Sequence, residues 1–302
     1  MPIQELRLRL VPDIFKLEVG AKRDILSQAL EGDFTTLFKG KGIEFAGYRE
    51  YTYTDDASLI DWAASLRSKK TLIREFEVQK NFHVFFLLDV SDKMLFCSTR
   101  QNKLKAEHGA ELVSRLAYAM AKSNNAIGLA MFTDKFTAKL YPELGTGMVA
   151  RINQELSNPA HYGGNFSFKK ALQYTNSFLK ERSLIIIISD FIGLEEGWVG
   201  YVRNLMVQHE IIGIMLRDPR DEELPENYGQ YVLENPFGSD RLLIDLKEYG
   251  KLYTAFVKDE EDYIMNSFGK GAYNLIKLRT DKDFTRPLMA FFKKRAQMYK
   301  YV

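Results

Sequence analysis

The chain has 302 residues, 46% of them hydrophobic and 27% charged, which is typical of a globular protein with one large domain or two unequal ones. Its 42 basic and 40 acidic residues leave a net charge of +2, so nucleic acid or an anionic membrane would have to be bound by a local patch. The single cysteine, Cys97, excludes an internal disulfide. No apolar run approaches the roughly 20 residues of a membrane helix, so we expect no membrane insertion and a cytoplasmic location.

Residues 1–81 predict a small, partly β element. A helical pattern over residues 20–34 gives way to turn signals mixed with aromatic, strand-like alternation. The charged and aromatic residues Asp56, Trp62 and Arg67 have two interpretations. They belong either to an ion-paired cap that holds this element on the rest of the chain, or to a surface that binds a partner protein, because exposed Trp and Arg are common interface anchors.

From residue 82 the pattern becomes regular, and short apolar runs alternate with helical periodicity. The runs predict buried strands, with a hairpin after the second: HVFFLL, AIGLAMFT, FTAKLY, SLIIIIS and EIIGIML. Strands that alternate with helices predict an α/β domain over residues 82–235, with a doubly wound, mostly parallel sheet covered by helices on both faces. Ligands of such sheets bind at the carboxyl ends of the strands.

Residues 236–302 predict a C-terminal α/β extension packed on that domain. A long helix begins near residue 246, and a last strand precedes residue 280. The closing helix, from about residue 285, is basic. We expect it to pack Phe291 and Phe292 on the core, with its cations near the negative end of the helix dipole, rather than to bind nucleic acid or a membrane.

Two aspartates, Asp89 and Asp190, each follow a buried strand and should therefore meet at one edge of the sheet. Buried carboxylates need a cation, a basic side chain or backbone donors as partners. Ser91 lies two residues after the first aspartate, and a Gly-Gly turn before Asn165 offers an amide oxygen. Such oxygens are the ligands that Mg²⁺ prefers.

This pattern resembles the metal-ion-dependent adhesion site of von Willebrand factor A domains, in which Asp-x-Ser-x-Ser, a Gly-Gly-Thr turn and a later Ser-Asp surround a cation. The resemblance implies a von Willebrand factor A-like fold for residues 82–235. The flanks, GIEFAGYREYTYTDDASLIDW and LRDPRDEELPENYG, resemble the "domain of unknown function 58" family. The resemblance implies an intracellular protein-interaction module that is not an enzyme. It also implies a MoxR-type AAA+ ATPase as the partner, in assembly or maturation of other complexes.

The match to the adhesion site is incomplete. Asp89, Ser91 and Asp190 stand at matching positions, Asn165 replaces the threonine, and Lys93 replaces the second serine. Asn165 keeps a neutral oxygen, whereas Lys93 removes a ligand and adds a cation. At 4 Å and an effective dielectric constant of about 20, this cation repels a divalent ion by about 8 kcal/mol. Two alternatives stay open: the Lys93 ammonium lies between the two aspartates and no metal binds, or Lys93 points into solvent and Mg²⁺ or Mn²⁺ binds weakly.

Asp92 also modifies this loop. Its simplest role is to cap the following helix as an exposed turn residue. It could instead pair with Lys93 or add an oxygen to a metal site.

Two functions of other classes remain as alternatives. A metal-dependent hydrolase or phosphotransferase could use Asp89 and Asp190, although no general base is evident among the scattered histidines. A nucleic-acid-binding module could use the basic stretches KGKG (39–42), RSKK (67–70) and KKR (293–295).

Overall fold

The computed structural model describes seven ranges of the chain: 43–53, 55–78, 83–98, 103–224, 230–234, 241–269 and 274–299. The helix predicted over residues 20–34 and the KGKG stretch lie outside these ranges.

Strands and helices alternate through most of the described chain. The strands are β1 (Ile43–Glu50), β2 (Leu72–Val78), β3 (His83–Asp89), β4 (Ala126–Phe132), β5 (Phe136–Glu143), β6 (Ser183–Ser189), β7 (Glu210–Arg217), β8 (Gln230–Glu234), β9 (Arg241–Asp245) and β10 (Leu275–Arg279). The helices are α1 (Trp62–Ser68), α2 (Lys105–Lys122), α3 (Gly147–Leu156), α4 (Phe168–Phe178), α5 (Trp198–Gln208), α6 (Pro219–Glu222), α7 (Leu246–Ser267) and α8 (Thr285–Tyr299).

The centre of the protein is a six-stranded sheet with the order β10-β7-β6-β3-β4-β5. All neighbouring strands are parallel except β5, which forms the predicted antiparallel hairpin with β4. The α/β class and the mostly parallel sheet are therefore confirmed. The chain leaves β3 towards β4 and leaves β6 towards β7, so the strand order reverses between β3 and β6.

Helices cover both faces of this sheet, as the alternating pattern predicts. In β3, Val84, Phe86 and Leu88 pack in one hydrophobic cluster, which includes buried residues of α2, α3 and α8. Phe85 and Leu87 pack in the other, with buried residues of α4, α5 and α7. Because side chains alternate across a strand, one apolar run supplies both cores.

The C-terminal segment completes the sheet. β10 pairs in parallel with β7 from Leu275 to Arg279, and Phe291 and Phe292 of α8 are buried in the hydrophobic core as expected. A domain boundary at residue 235 would cut this sheet, because β10, predicted as part of an extension packed on the domain, is a strand of the domain's own sheet. The apolar pattern predicted a strand but could not identify its neighbour.

The two edge strands of the central sheet carry charges and a proline. β5 has Lys139 exposed and ends near Pro142. β10 has Lys277, which pairs with Glu222 and Glu261 at 3.0 and 2.7 Å.

Residues 43–78 form a small unit of their own, in which β1 and β2 pair antiparallel and α1 lies between them in sequence. The predicted β character of this region is confirmed. Asp61 holds the unit together: its carboxylate caps α1 by accepting from the Ala63 and Ala64 amides, and it accepts from Tyr48 at 3.1 Å and from Arg74 at 2.9 Å.

Candidate functional site

The polar residues of interest lie at the carboxyl edge of the sheet, between the ends of β3 and β6. Asp89 is the last residue of β3, and Asp190 directly follows β6. The two strands are neighbours, and the strand order reverses between them, so this edge is the position where doubly wound sheets bind ligands. Both carboxylates are fully buried, as expected for residues that follow buried strands.

Asp89 is held by two serines. Its Oδ1 accepts from the Ser91 amide at 3.0 Å and from the Ser91 hydroxyl at 2.7 Å. Its Oδ2 accepts from the Ser189 hydroxyl at 2.6 Å. Ser91 is thus hydrogen-bonded to Asp89, and its hydroxyl forms no hydrogen bond with Lys93.

The Lys93 ammonium lies between the two aspartates. Its Nζ is 2.8 Å from Asp190 Oδ1, 3.2 Å from Asp89 Oδ2 and 2.8 Å from the Ile192 carbonyl oxygen, which it donates to. The Phe166 ring covers it, with the ring centroid 3.1 Å from Nζ. The ammonium is therefore enclosed by two carboxylates, a carbonyl oxygen and an aromatic ring of its own chain.

The loop after β6 is shaped to meet this ammonium. Phe191 has a left-handed φ of +52°, which is rare for a bulky residue. In this conformation the Ile192 amide donates to Asp190 Oδ1 at 3.0 Å, while the Ile192 carbonyl accepts from Lys93. One side chain of the β3 loop therefore fixes the backbone of the β6 loop.

A second lysine, Lys105, was not predicted as a site residue. It stands at the first position of α2 and its side chain is only 2% exposed; Nζ is 2.8 Å from Asp190 Oδ2 and 2.9 Å from Asp221 Oδ2. The sequence did carry a signal. Lys105 falls on the apolar stripe of α2 with Gly109 and Leu112, and a cation at a helix N-terminus opposes the helix dipole unless a carboxylate faces it.

The two ammoniums decide the protonation of Asp190. Burial alone would raise the pKa of Asp190, but Lys105 and Lys93 outweigh burial and hold that pKa well below its ordinary range. Burial likewise opposes the charged form of Lys105, yet Asp190 and Asp221 raise its pKa. The cluster of Asp89, Lys93, Lys105, Asp190 and Asp221 is thus an internal ion-pair network with one more carboxylate than ammonium.

Asp92 and Asn165 take other roles than those of metal ligands. Asp92 Oδ1 accepts from the Gly164 amide at 2.8 Å, and the Asp92 amide donates to the Gly164 carbonyl at 3.0 Å, so Asp92 ties the β3 loop to the Gly-Gly turn. Gly163 and Gly164 have φ of +93° and +126°, a backbone that glycine permits. The Asn165 side chain is exposed, and no hydrogen bond joins it to Asp89, Ser91 or Asp190.

This arrangement does not fit a divalent cation. The space between Asp89 and Asp190 contains the Lys93 ammonium, and the second oxygen of Asp190 is engaged by Lys105. Among the described residues, no group of three or more His, Cys, Asp or Glu side chains is placed to hold a metal ion. If Lys93 turned into solvent, Lys105 would still repel an ion at Asp190.

The predicted partner-binding residues lie on the 43–78 unit. Asp56 caps the short turn after it by accepting from the Ser58 amide at 2.9 Å, and Arg67 donates to the Ala63 carbonyl at 3.2 Å. Trp62 is 67% exposed. The ion pairs Arg49–Asp55, Glu50–Lys70 and Asp61–Arg74 each join two residues of the unit, so they stabilise the unit itself.

The KKR stretch and His161 do not form a common site. In the KKR stretch, Lys293 and Lys294 are exposed, but Arg295 is buried and donates to Glu210 and Asn274. His161, beside the Gly-Gly turn, bonds to Glu155 at 2.7 Å. Within the described ranges, no helix is long and apolar enough to cross a membrane.

Comparison with known proteins gives a family and distant relatives. The family model described as "protein of unknown function DUF58" matches residues 47–262. Uncharacterized proteins of Mycobacterium bovis and of Mycobacterium tuberculosis strain H37Rv are each 26% identical over 293 residues, covering 92% of this chain and 87% of the relative. The crystal structure of the conserved hypothetical protein BatB from Bacteroides thetaiotaomicron is 19% identical, covers 72% of this chain and 99% of that one, and has a TM-score of 0.45. The family match covers most of the 43–78 unit and most of the described α/β domain.

Proposed function

The chain belongs to the DUF58 family, and we propose that it is a cytoplasmic protein-interaction module rather than an enzyme. Its α/β domain is of the von Willebrand factor A type, and its adhesion site is degenerate. Its partner is a MoxR-type AAA+ ATPase, with which it acts in assembly or maturation of other complexes. The doubly wound sheet, the position of Asp89 and Asp190 at its switch point, and the family match support this proposal.

One observation carries the mechanism: the Lys93 ammonium takes the position between the two aspartates. In an adhesion site that holds a metal, a carboxylate of the partner completes the coordination of the ion. The Lys93 ammonium is enclosed by Asp89, Asp190 and the Ile192 carbonyl, and its side chain is only 11% exposed, so a carboxylate of a partner has little access to it. We therefore infer that partner binding is independent of metal.

The same network gives the loops a fixed shape. Lys93 joins the β3 loop to the β6 loop, and Asp92 joins the β3 loop to the Gly-Gly turn. Three loops from distant parts of the sequence thus form one surface at the sheet edge, with Asn165 exposed on it. Pre-organised loops bind with a smaller loss of conformational entropy, so the network favours binding without contacting the partner itself.

Calorimetric titration with Mg²⁺ and with Mn²⁺ tests metal independence. Wild type should give no binding heat, and neither should the control Lys180→Ser, which removes an exposed lysine elsewhere. Lys93→Ser should gain weak binding, with Kd on the order of 1 mM, because a serine oxygen replaces the ammonium while Lys105 still repels the ion. Tight Mg²⁺ binding by wild type would overturn the lysine-filled site.

Affinity capture with a purified MoxR-type AAA+ ATPase from the same cell tests the partner and the surface. Wild type should be retained, and Asn165→Arg should be retained at least tenfold less, because a long cation would protrude from the proposed surface. Lys180→Ser is again the control. Equal retention of Asn165→Arg and wild type would exclude this surface, and no retention of wild type would exclude the partner.

A further inference from the structure

Helix α7 carries an exposed apolar stripe that its own domain leaves uncovered. The helix buries Val257 and Ile264, and Phe268 directly after it is buried as well. On its flank, four large side chains are between 50% and 67% exposed: Tyr249, Leu252, Phe256 and Tyr263, which we call the α7 stripe. At 100° per residue these four lie within about 60° of one another, so they form one continuous ridge.

Helix α1 of the 43–78 unit presents a second exposed apolar surface. Trp62 and Leu66 are 67% and 82% exposed and lie four residues apart on the same side of the helix. Leu59, in the turn before the helix, is 42% exposed. We call these three residues the α1 face. Ala64 is the one buried residue of α1, so the helix turns most of its apolar surface away from its own unit.

The two surfaces have opposite charge at their borders. Arg67 and Lys69, both exposed, lie at the C-terminal end of α1, beside the α1 face. Asp259 and Asp262, both exposed, lie in the C-terminal half of α7, and Asp259 borders the α7 stripe. When α1 and α7 lie parallel, the basic end of α1 falls beside the acidic half of α7. Apolar residues four apart on α1 then come opposite apolar residues four apart on α7.

We propose that the α1 face of one copy of the protein docks on the α7 stripe of a second copy. Each copy carries both surfaces, so the contact is heterologous and can continue from copy to copy. Trp62 is the expected anchor, since a large aromatic at the centre of a small interface dominates binding. Single-helix contacts bury less than the roughly 1,200 Å² of a stable complex, so the association should be weak and depend on concentration.

The test mixes two variants that are defective on opposite surfaces. Trp62→Ala removes the anchor and Phe256→Ala removes the centre of the stripe; both residues are exposed, so neither change disturbs a core. Sedimentation velocity over concentrations on the order of 10–500 µM, the range of weak complexes, should show wild type associating and each variant at least tenfold weaker. An equimolar mixture should form heterodimers and nothing larger, because one intact face of each kind remains. Val207→Ala, at an exposed position of α5, is the control and should behave as wild type.

Other occupants of the α7 stripe give different results. If α7 stripes of two copies paired with each other, Trp62→Ala would associate as wild type does. If the α1 face docked within its own chain, or if another protein covered the stripe, wild type would stay monomeric at every concentration. Either result would overturn the proposal, as would a mixture that stays monomeric. Reversing charge with Arg67→Glu should weaken association, and adding Asp259→Lys in the same chain should restore it.

Discussion

Replacing Lys105 by methionine tests whether the ion-pair network holds the sheet edge together. Methionine keeps the apolar stem of the lysine and removes only the ammonium, so the packing of α2 on the sheet changes little. The substitution leaves Asp190 with Lys93 alone and deprives Asp221 of its partner at 2.9 Å. Asp190 is fully buried and the Asp221 side chain is 11% exposed, so solvent compensates little for the lost charge.

The cost follows from two opposing effects. At an effective dielectric constant of about 20, an ammonium and a carboxylate 2.8 Å apart attract each other by about 6 kcal/mol. Removing the buried ammonium also returns its desolvation penalty of several kcal/mol. The net loss in unfolding free energy should therefore be about 3–5 kcal/mol, the range for breaking a buried pair by removing one partner.

Thermal and urea denaturation of wild type and Lys105→Met would measure this loss. The matched control is Lys103→Met, two residues earlier, because Lys103 pairs with Glu111 on the surface and should contribute at most about 1 kcal/mol. The difference should shrink in acid. In wild type the pKa of Asp190 is lowered, so its stabilising charge persists until the pH falls below the ordinary range of a carboxylate. In Lys105→Met only Lys93 opposes the effect of burial, so the pKa of Asp190 should rise. If Lys105→Met unfolds at neutral pH like Lys103→Met, the network does not stabilise the fold.

Two further predictions concern the sheet and the 43–78 unit. Gly128→Ala should destabilise the protein by about 1–3 kcal/mol in urea denaturation, because a Cβ there would lie 2.8 Å from the backbone of β5; Gly200→Ala, in open space on α5, should be neutral or slightly stabilising. The Ala64 amide and Arg74 lower the pKa of Asp61 to about 2, so the stability that Asp61 contributes is present above pH 4 and is lost as the pH falls through about 2. Asp61→Asn should abolish that acid-dependent step in NMR-monitored titration of the unit, and an unchanged titration would refute the role of Asp61.

The sheet could be predicted because its strands are buried on both faces. SLIIIIS is an uninterrupted apolar run, and it forms β6 with the predicted limits. What periodicity cannot supply is the identity of the neighbouring strand. β10 was therefore assigned to an extension, although it pairs with β7 in the same sheet.

The candidate site was partly predictable for a related reason. Asp89 and Asp190 could be brought together because both end buried strands, and Lys93 stood out against the pattern of the adhesion site. Asn165 was expected to face the aspartates, but the turn exposes it, and a turn fixes the direction of a side chain only through its backbone angles. Lys105 was overlooked because a lysine in a helix is ordinarily exposed, and only its position on the apolar stripe indicated otherwise.

The charged edge strands also bear on how this protein can assemble. An uncovered β-strand is a template for further strands, and unprotected sheets aggregate through it. Here Lys139 and Pro142 on β5 hinder the addition of a strand, and the ion-paired Lys277 on β10 would have to give up its partners before another chain could approach. Growth of the central sheet from one copy into the next is therefore disfavoured. A contact between copies is left to other surfaces, such as the exposed apolar side chains of α1 and α7.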